Sequence, residues 1–274
     1  MLAVLIHSVR GVRWPHAAHR QFMTLKIRKR PDGFRNVTSV AKRDTIVWTD
    51  AQGQPRSAPA NKGATKLSLD KALLSRQPAK YQHRRHYEGY YWFSHTGKLV
   101  WHESMVEYTA LMWLDYQHPI KAIAAQPMCI FFADGSRHYP DFFAVHADGS
   151  QVLYDVRPLE RIDESAALQF EKTKQLCAKT GWRYEVLTGL ERVVRHNLEW
   201  MAAYRHQRCS PDDVLSERIL AFLDEARPFA DVLRLLDLKT PARYLPQLYH
   251  MMWSRHICFD MTQPLSLATL IWKV

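Results

Sequence analysis

His138-Tyr139-Pro140-Asp141-Phe142-Phe143-Ala144-Val145-His146, then Asp148-Gly149, then Gln151-Val152-Leu153-Tyr154-Asp155-Val156-Arg157 is the stretch on which the reading of this chain turns. Asp-Gly is a strong hairpin signal, because both residue types tolerate the left-handed backbone that a tight turn needs. The flanking runs are aromatic and β-branched, so each predicts a strand. Strand side chains alternate between faces, which puts Asp155 and Arg157 on one face. With the neighbouring strand in register, Asp141 joins them. A polar trio on a small apolar sheet needs a reason, and metal binding is one.

Outward from this pair, Met128 to Ala133 closed by Asp134-Gly135 predicts a further strand and hairpin, making an antiparallel meander. Upstream, Glu103 to Tyr116 reads as a helix stopped by Gln117-His118-Pro119, with Glu103 and Glu107 sharing a face four residues apart. Downstream, Glu164 to Lys179 predicts a helix capped by Gly181, and Tyr184 to Leu187 a fourth strand. The order helix, three strands, helix, strand predicts an α/β (α+β) core with a mixed central sheet flanked by helices. A helical connection over 190–204 leads to a boundary at Cys209-Ser210-Pro211-Asp212-Asp213, with Ser210 as the cap of the next helix. Helices over 214–225, 228–236 and 242–253, then strands over 256–260 and 268–272 as a two-stranded wing, predict a winged-helix-like C-terminal domain. Nearer the N-terminus, Asn36 to Trp48 predicts a strand or two, and Ala51 to Ala64 reads as a loop. The domain reading is a basic, partly extended region over 1–86, a core domain over 87–207 and the C-terminal domain over 208–274.

Composition narrows the class. With 274 residues, 47% hydrophobic and 24% charged, the chain can bury a real core and is not a disordered protein. The apolar run Met1 to Ile6 is far too short to span a bilayer, and no leader-peptide cleavage pattern follows it, so a cytoplasmic protein without a membrane partner is expected. Cys129, Cys177, Cys209 and Cys258 stand far apart, without zinc-ligand spacing, and are expected to be reduced and inert. No Gly-rich phosphate loop, Gly-x-Ser-x-Gly or His-Glu-x-x-His pattern occurs, which argues against an ATPase, a serine hydrolase and a zinc protease.

Net charge is +11, and residues 1–100 hold 19 Lys or Arg against 5 Asp or Glu while the rest holds 19 against 22. Such asymmetry suits a polyanion, and double-stranded DNA is the partner it predicts. Lys26, Arg28, Lys29, Arg30, Arg84 and Arg85, from the two densest basic clusters, are the expected phosphate contacts, with the winged helix supplying the rest.

Hydrolysis of a phosphodiester requires an oxygen cage for Mg²⁺, or Mn²⁺ in its place, to polarise the phosphate and activate water. Asp141 and Asp155 are natural ligands, with Glu107 reaching across from the helix and Glu103 as its substitute. The usual companion is a lysine two residues after the last acid; Arg157 stands there, and it keeps the charge while being unable to give up a proton. Lys172 or Lys174 on the following helix could compensate. His138, beside the site, reads more simply as a packing or hydrogen-bonding residue than as a ligand.

Four ordered motifs, His102-Glu103-Ser104-Met105-Val106-Glu107-Tyr108, Ile123-Ala124-Ala125-Gln126-Pro127, His138 to Phe143 and Tyr154-Asp155-Val156-Arg157-Pro158, resemble the TnsA-type endonuclease subunit of heteromeric transposases, within the PD-(D/E)xK nuclease superfamily. The likeness covers about residues 87 to 190 well. It implies a restriction-endonuclease-like nuclease domain over 87–207 and a metal site of Glu107, Asp141 and Asp155, with Arg157 where better-known members carry lysine. It further implies a magnesium-dependent DNA endonuclease that cuts the strand at the 5′ transposon end, an integrase-like transposase partner that acts at the 3′ end, and an ATPase regulator docked on the C-terminal region. Two other readings share these residues: a stand-alone restriction or defence-type nuclease, and a catalytically lapsed DNA-binding adaptor.

Overall fold

Pro140 has no amide hydrogen to give to a neighbouring strand, and at this residue the chain leaves one sheet for another. The computed structural model of the chain describes residues 43–75, 87–117, 119–237 and 239–274, all within the compact unit Val40–Val274. Strands β1 (Thr45–Thr49), β2 (Pro55–Pro59), β6 (Met128–Phe131) and β7 (Arg137–His138) form an antiparallel sheet in the order β2-β1-β6-β7. Strands β5 (Ile120–Ala125), β8 (Phe142–His146), β9 (Gln151–Val156) and β10 (Arg183–Leu187) form a second, mixed sheet in the order β10-β9-β8-β5. Its one parallel pair, β9 with β10, is joined by helix α2 (Glu164–Thr180), the kind of crossover a parallel pair requires.

The expected strand over 138–146 is therefore two strands in different sheets. Its upstream counterpart is Gln126, between β5 and β6, whose φ of 41° lies in the left-handed region. The two crossings lie side by side: the Gln126 amide donates to the Asp141 carbonyl at 2.7 Å, and the Asp141 amide to the Tyr154 carbonyl at 3.1 Å.

Alternation along β8 and β9 divides the core between the two faces of the mixed sheet. Phe142, Ala144, Val152 and Tyr154 pack in one cluster with Leu111, Met112 and Leu114 of helix α1 (Met105–Gln117). Phe143 and Leu153 pack in the other with Leu176 and Cys177 of α2 and with Ile46, Leu69 and Met128. Each such large apolar side chain contributes roughly 1.5–3 kcal/mol when fully buried. Ile46 and Leu69 are wholly buried in this second cluster, so residues 45–75 are part of the core's packing and the expected boundary at 86/87 does not divide it. Within the expected loop over 51–64, Pro55–Pro59 is the edge strand β2, the position in a sheet where proline is tolerated.

Burial of α1 extends over most of its surface. Asp115, fully buried on it, accepts from the Tyr91 hydroxyl at 2.9 Å and from Ser94 N and Oγ at 2.9 and 2.8 Å. These bonds satisfy the buried carboxylate and tie α1 to the hairpin of β3 (Gly89–Phe93) and β4 (Lys98–His102).

On the far side of α1, helices α3 (Arg192–Ala202), α4 (Asp213–Phe222), α5 (Phe229–Leu236) and α6 (Leu245–Trp253) continue the same core. A small sheet in the order β11-β13-β12 completes this region, from Arg227–Pro228, Leu270–Lys273 and Ile257–Phe259, so three strands stand where two were expected. The cap of α4 is Asp212, which accepts from Leu215 N at 2.8 Å; Ser210 lies two residues too early to reach that turn. Trp253 packs on Tyr116 with ring centroids 5.6 Å apart, and Arg255 Nη1 donates to the Gln117 carbonyl at 3.0 Å. No break in packing therefore marks residue 207/208. Among the described residues, no helix is long and apolar enough to cross a membrane.

Candidate functional site

The sheet crossing at Pro140 leaves Asp141 one step beyond the Phe142–Tyr154 pair, opposite Asp155. Asp141 is not free to swing: its Oδ2 accepts from Val156 N at 2.7 Å. Packed among protein atoms and facing the charges of Asp155, Glu107 and Glu103, its carboxyl is pushed well above the usual carboxylate range, burial being the largest cause. Glu107 and Glu103 thus lie within electrostatic reach of the aspartate pair. Four acids acting on one locus of a protein otherwise rich in cations carry a destabilising repulsion.

Glu107 sits in the first turn of α1, as half of a capping box. Its amide donates to Ser104 Oγ at 3.2 Å, the Ser104 hydroxyl donates back to Oε1 at 2.9 Å, and Oε2 accepts from Glu103 N at 2.8 Å. The Ser-x-x-Glu spacing is thereby explained as a helix start, whatever else Glu107 does. A capped carboxylate retains lone pairs, so the two roles are compatible.

Asp155, only 3% exposed, turns toward α2. His138 Nε2 lies 3.0 and 2.8 Å from its two oxygens, and the Tyr184 hydroxyl donates to Oδ2. Behind the imidazole, the Gln169 amide meets Nδ1, an arrangement that fits a ring protonated on Nε2 and accepting on Nδ1. Burial and the adjacent Asp155 charge raise the Tyr184 hydroxyl far above its ordinary value and the Cys177 thiol to about 12, so neither ionises near neutrality. Sequence reasoning missed Tyr184 and Gln169. Only the parallel pairing of Tyr184 with Leu153, which aligns it on the Asp155 face, brings that hydroxyl in.

Arg157 follows β9 directly, and its Nε donates to the Arg161 carbonyl at 2.7 Å. Lys172 is paired with Asp134, and Lys174 is exposed on the outer face of α2, so neither reaches the acids. Lys26, Arg28, Lys29, Arg30, Arg84 and Arg85 lie outside the described residues.

As a donor set, carboxylate oxygens with one nearby imidazole suit a hard divalent cation such as Mg²⁺ or Mn²⁺. Such a cation would offset the burial and the repulsion that together raise Asp141. Among the described residues, no three His, Cys, Asp or Glu side chains converge closely enough to hold a metal ion as they stand. The acids are electrostatic neighbours, and a closed cage would require side-chain adjustment. Compared with models of known protein families and with curated proteins, the sequence matches none.

Proposed function

We propose that the chain is a metal-dependent DNA endonuclease of the PD-(D/E)xK class, with Glu107, Asp141 and Asp155 as its metal-binding acids. One arrangement carries this reading: at the joint between the two sheets the buried Asp141 carboxyl lies opposite Asp155 and within reach of Glu107 and Glu103, and it is raised by burial first and by their charges after that. The buried Asp115 carboxylate takes hydrogen bonds from Tyr91 and Ser94, whereas the Asp141 carboxyl accepts from Val156 N and otherwise meets the charges of other acids. The order of a helix, antiparallel strands, the helix α2 and the parallel strand β10 supports a restriction-endonuclease-like core in this reading.

A bound Mg²⁺ would polarise the scissile phosphate and lower the pKa of a coordinated water. The chain's own residues do the remainder. Val156 N holds Asp141 in place, the cap orients Glu107 at the head of α1, and Arg157 supplies a fixed positive charge one strand position beyond Val156. Within the resemblance, the enzyme serves as the 5′-end nuclease of a heteromeric transposase, beside an integrase-like transposase and an ATPase regulator.

The C-terminal helices and strands run in the order of a winged helix: α4, β11, α5, α6, β12, β13. DNA binding through this unit is not favoured. Residues 208–274 carry 8 Lys or Arg against 8 Asp or Glu, and the third helix of the unit, α6, has Leu248, Met251 and Met252 fully buried against the core. Its role in this reading is to brace α1.

A second reading, the catalytically lapsed adaptor, is favoured by one detail: the Arg157 Nε is spent on a backbone carbonyl. The two part in a cleavage assay with the full chain and Mg²⁺ or Mn²⁺ on plasmid DNA. Metal-dependent nicking that disappears in Asp141→Ala supports the nuclease and rules out the adaptor.

A further inference from the structure

The Asp155 carboxylate is held by two side chains that the family motifs do not assign. His138 Nε2 bridges both of its oxygens, at 3.0 and 2.8 Å, and the Tyr184 hydroxyl donates to Oδ2. His138 comes from the end of β7, in one sheet, and Tyr184 from β10, in the other, so the carboxylate is gripped from both sides of the joint. His138 is itself 8% exposed and backed by Gln169 on α2. A buried acid with no such grip would be free to turn away from a like-charged neighbour. Asp141, directly opposite, is such a neighbour.

From this geometry we infer that His138 and Tyr184 are positioning residues, which fix the Asp155 carboxylate beside Asp141 against their mutual repulsion so that both can share one divalent cation. The inference rests on the nuclease reading above. It assigns neither residue a direct bond to metal or DNA. Metal-ligating carboxylates are commonly held by such outer partners, whose loss typically costs about 10–100-fold in metal affinity or activity. Gln169 fixes the imidazole tautomer by occupying Nδ1.

The test is Mn²⁺ titration of the full chain with non-specific duplex DNA present, Asp141→Ala serving as the blank, on wild type, His138→Leu, His138→Gln and Tyr184→Phe. Glutamine keeps a donor near the Nε2 position, and phenylalanine keeps the Tyr184 ring, so both preserve packing if His138→Leu fails to fold. Affinity should fall by about 10–100-fold in His138→Leu and severalfold or more in Tyr184→Phe, with His138→Gln close to wild type. Unchanged affinity in the Leu and Phe variants of a binding wild type would overturn the inference and leave the nuclease reading standing. Tighter binding would overturn it too, by showing that His138 blocks the site. A wild type that binds no Mn²⁺ beyond the blank would overturn both.

Discussion

Asp141 lies one residue beyond the β8–β9 ladder, opposite Asp155, and its carboxyl is raised first by burial and then by the charge of Asp155. An acid whose folded-state pKa is raised binds protons more tightly folded than unfolded. Stability therefore falls as pH climbs from the ordinary carboxylate range through the raised value, and the loss is complete above it. In metal-free protein, Asp141→Asn should be more stable than wild type at neutral pH by about 1–2 kcal/mol, since asparagine keeps an acceptor for Val156 N. Thermal melts of both proteins from pH 4 to 8 check this: the curves should diverge with rising pH, and saturating Mn²⁺ should stabilise wild type alone.

Glu107 has two roles that substitution separates. Glu107→Gln retains an acceptor for Glu103 N and should leave the melting temperature nearly unchanged while Mn²⁺ affinity drops at least tenfold. Ser104→Ala removes the other half of the cap and should cost about 1 kcal/mol of stability. A Glu107→Gln protein with full Mn²⁺ affinity would reduce the residue to its capping role.

Much of the fold is legible in the sequence because local signals agree with tertiary demands. Gln151–Val156 is read with both ends, and α2 with its Gly181 cap, at φ 86°, to within one residue at its C-terminus, from turn chemistry and periodicity. What escapes has physical causes. Ile120–Ala125 is alanine-rich and extends only because β8 pairs with it; Pro55–Pro59 is a strand only because it is an edge; Pro140 divides one apparent strand between two sheets. Spacing alone singles out the three proposed acids. It does not single out their partners, since Tyr184 and Gln169 reach Asp155 and His138 through a parallel pairing and a helix face that no local motif encodes.

Arg157 stands two residues after the last acid, and its Nε donates to the Arg161 carbonyl. A lysine there is a compact point charge without the planar guanidinium fork. Arg157→Lys should raise metal-dependent cleavage on the order of tenfold without altering Mn²⁺ affinity. Initial rates of plasmid nicking decide it, and a loss of activity would mark the arginine as an adapted component.

Removing the first 39 residues deletes 8 of the 38 Lys and Arg while leaving Ile46 and Leu69 in the core. DNA affinity of this shortened chain should depend less steeply on salt, by about 0.9 in log–log slope for each phosphate that is no longer neutralised. Arg243→Ala, at the approach to α6, should leave the slope unaltered. A slope that follows Arg243 and ignores the truncation would assign DNA binding to the C-terminal unit.

Whether these acids hold a catalytic divalent cation is decided by calorimetric titration of Mn²⁺ into the full chain with duplex DNA, wild type against Asp141→Ala. Saturable binding is expected in wild type and should be abolished in the variant. Equal binding in both proteins, or none in either, would contradict a metal site at Asp141.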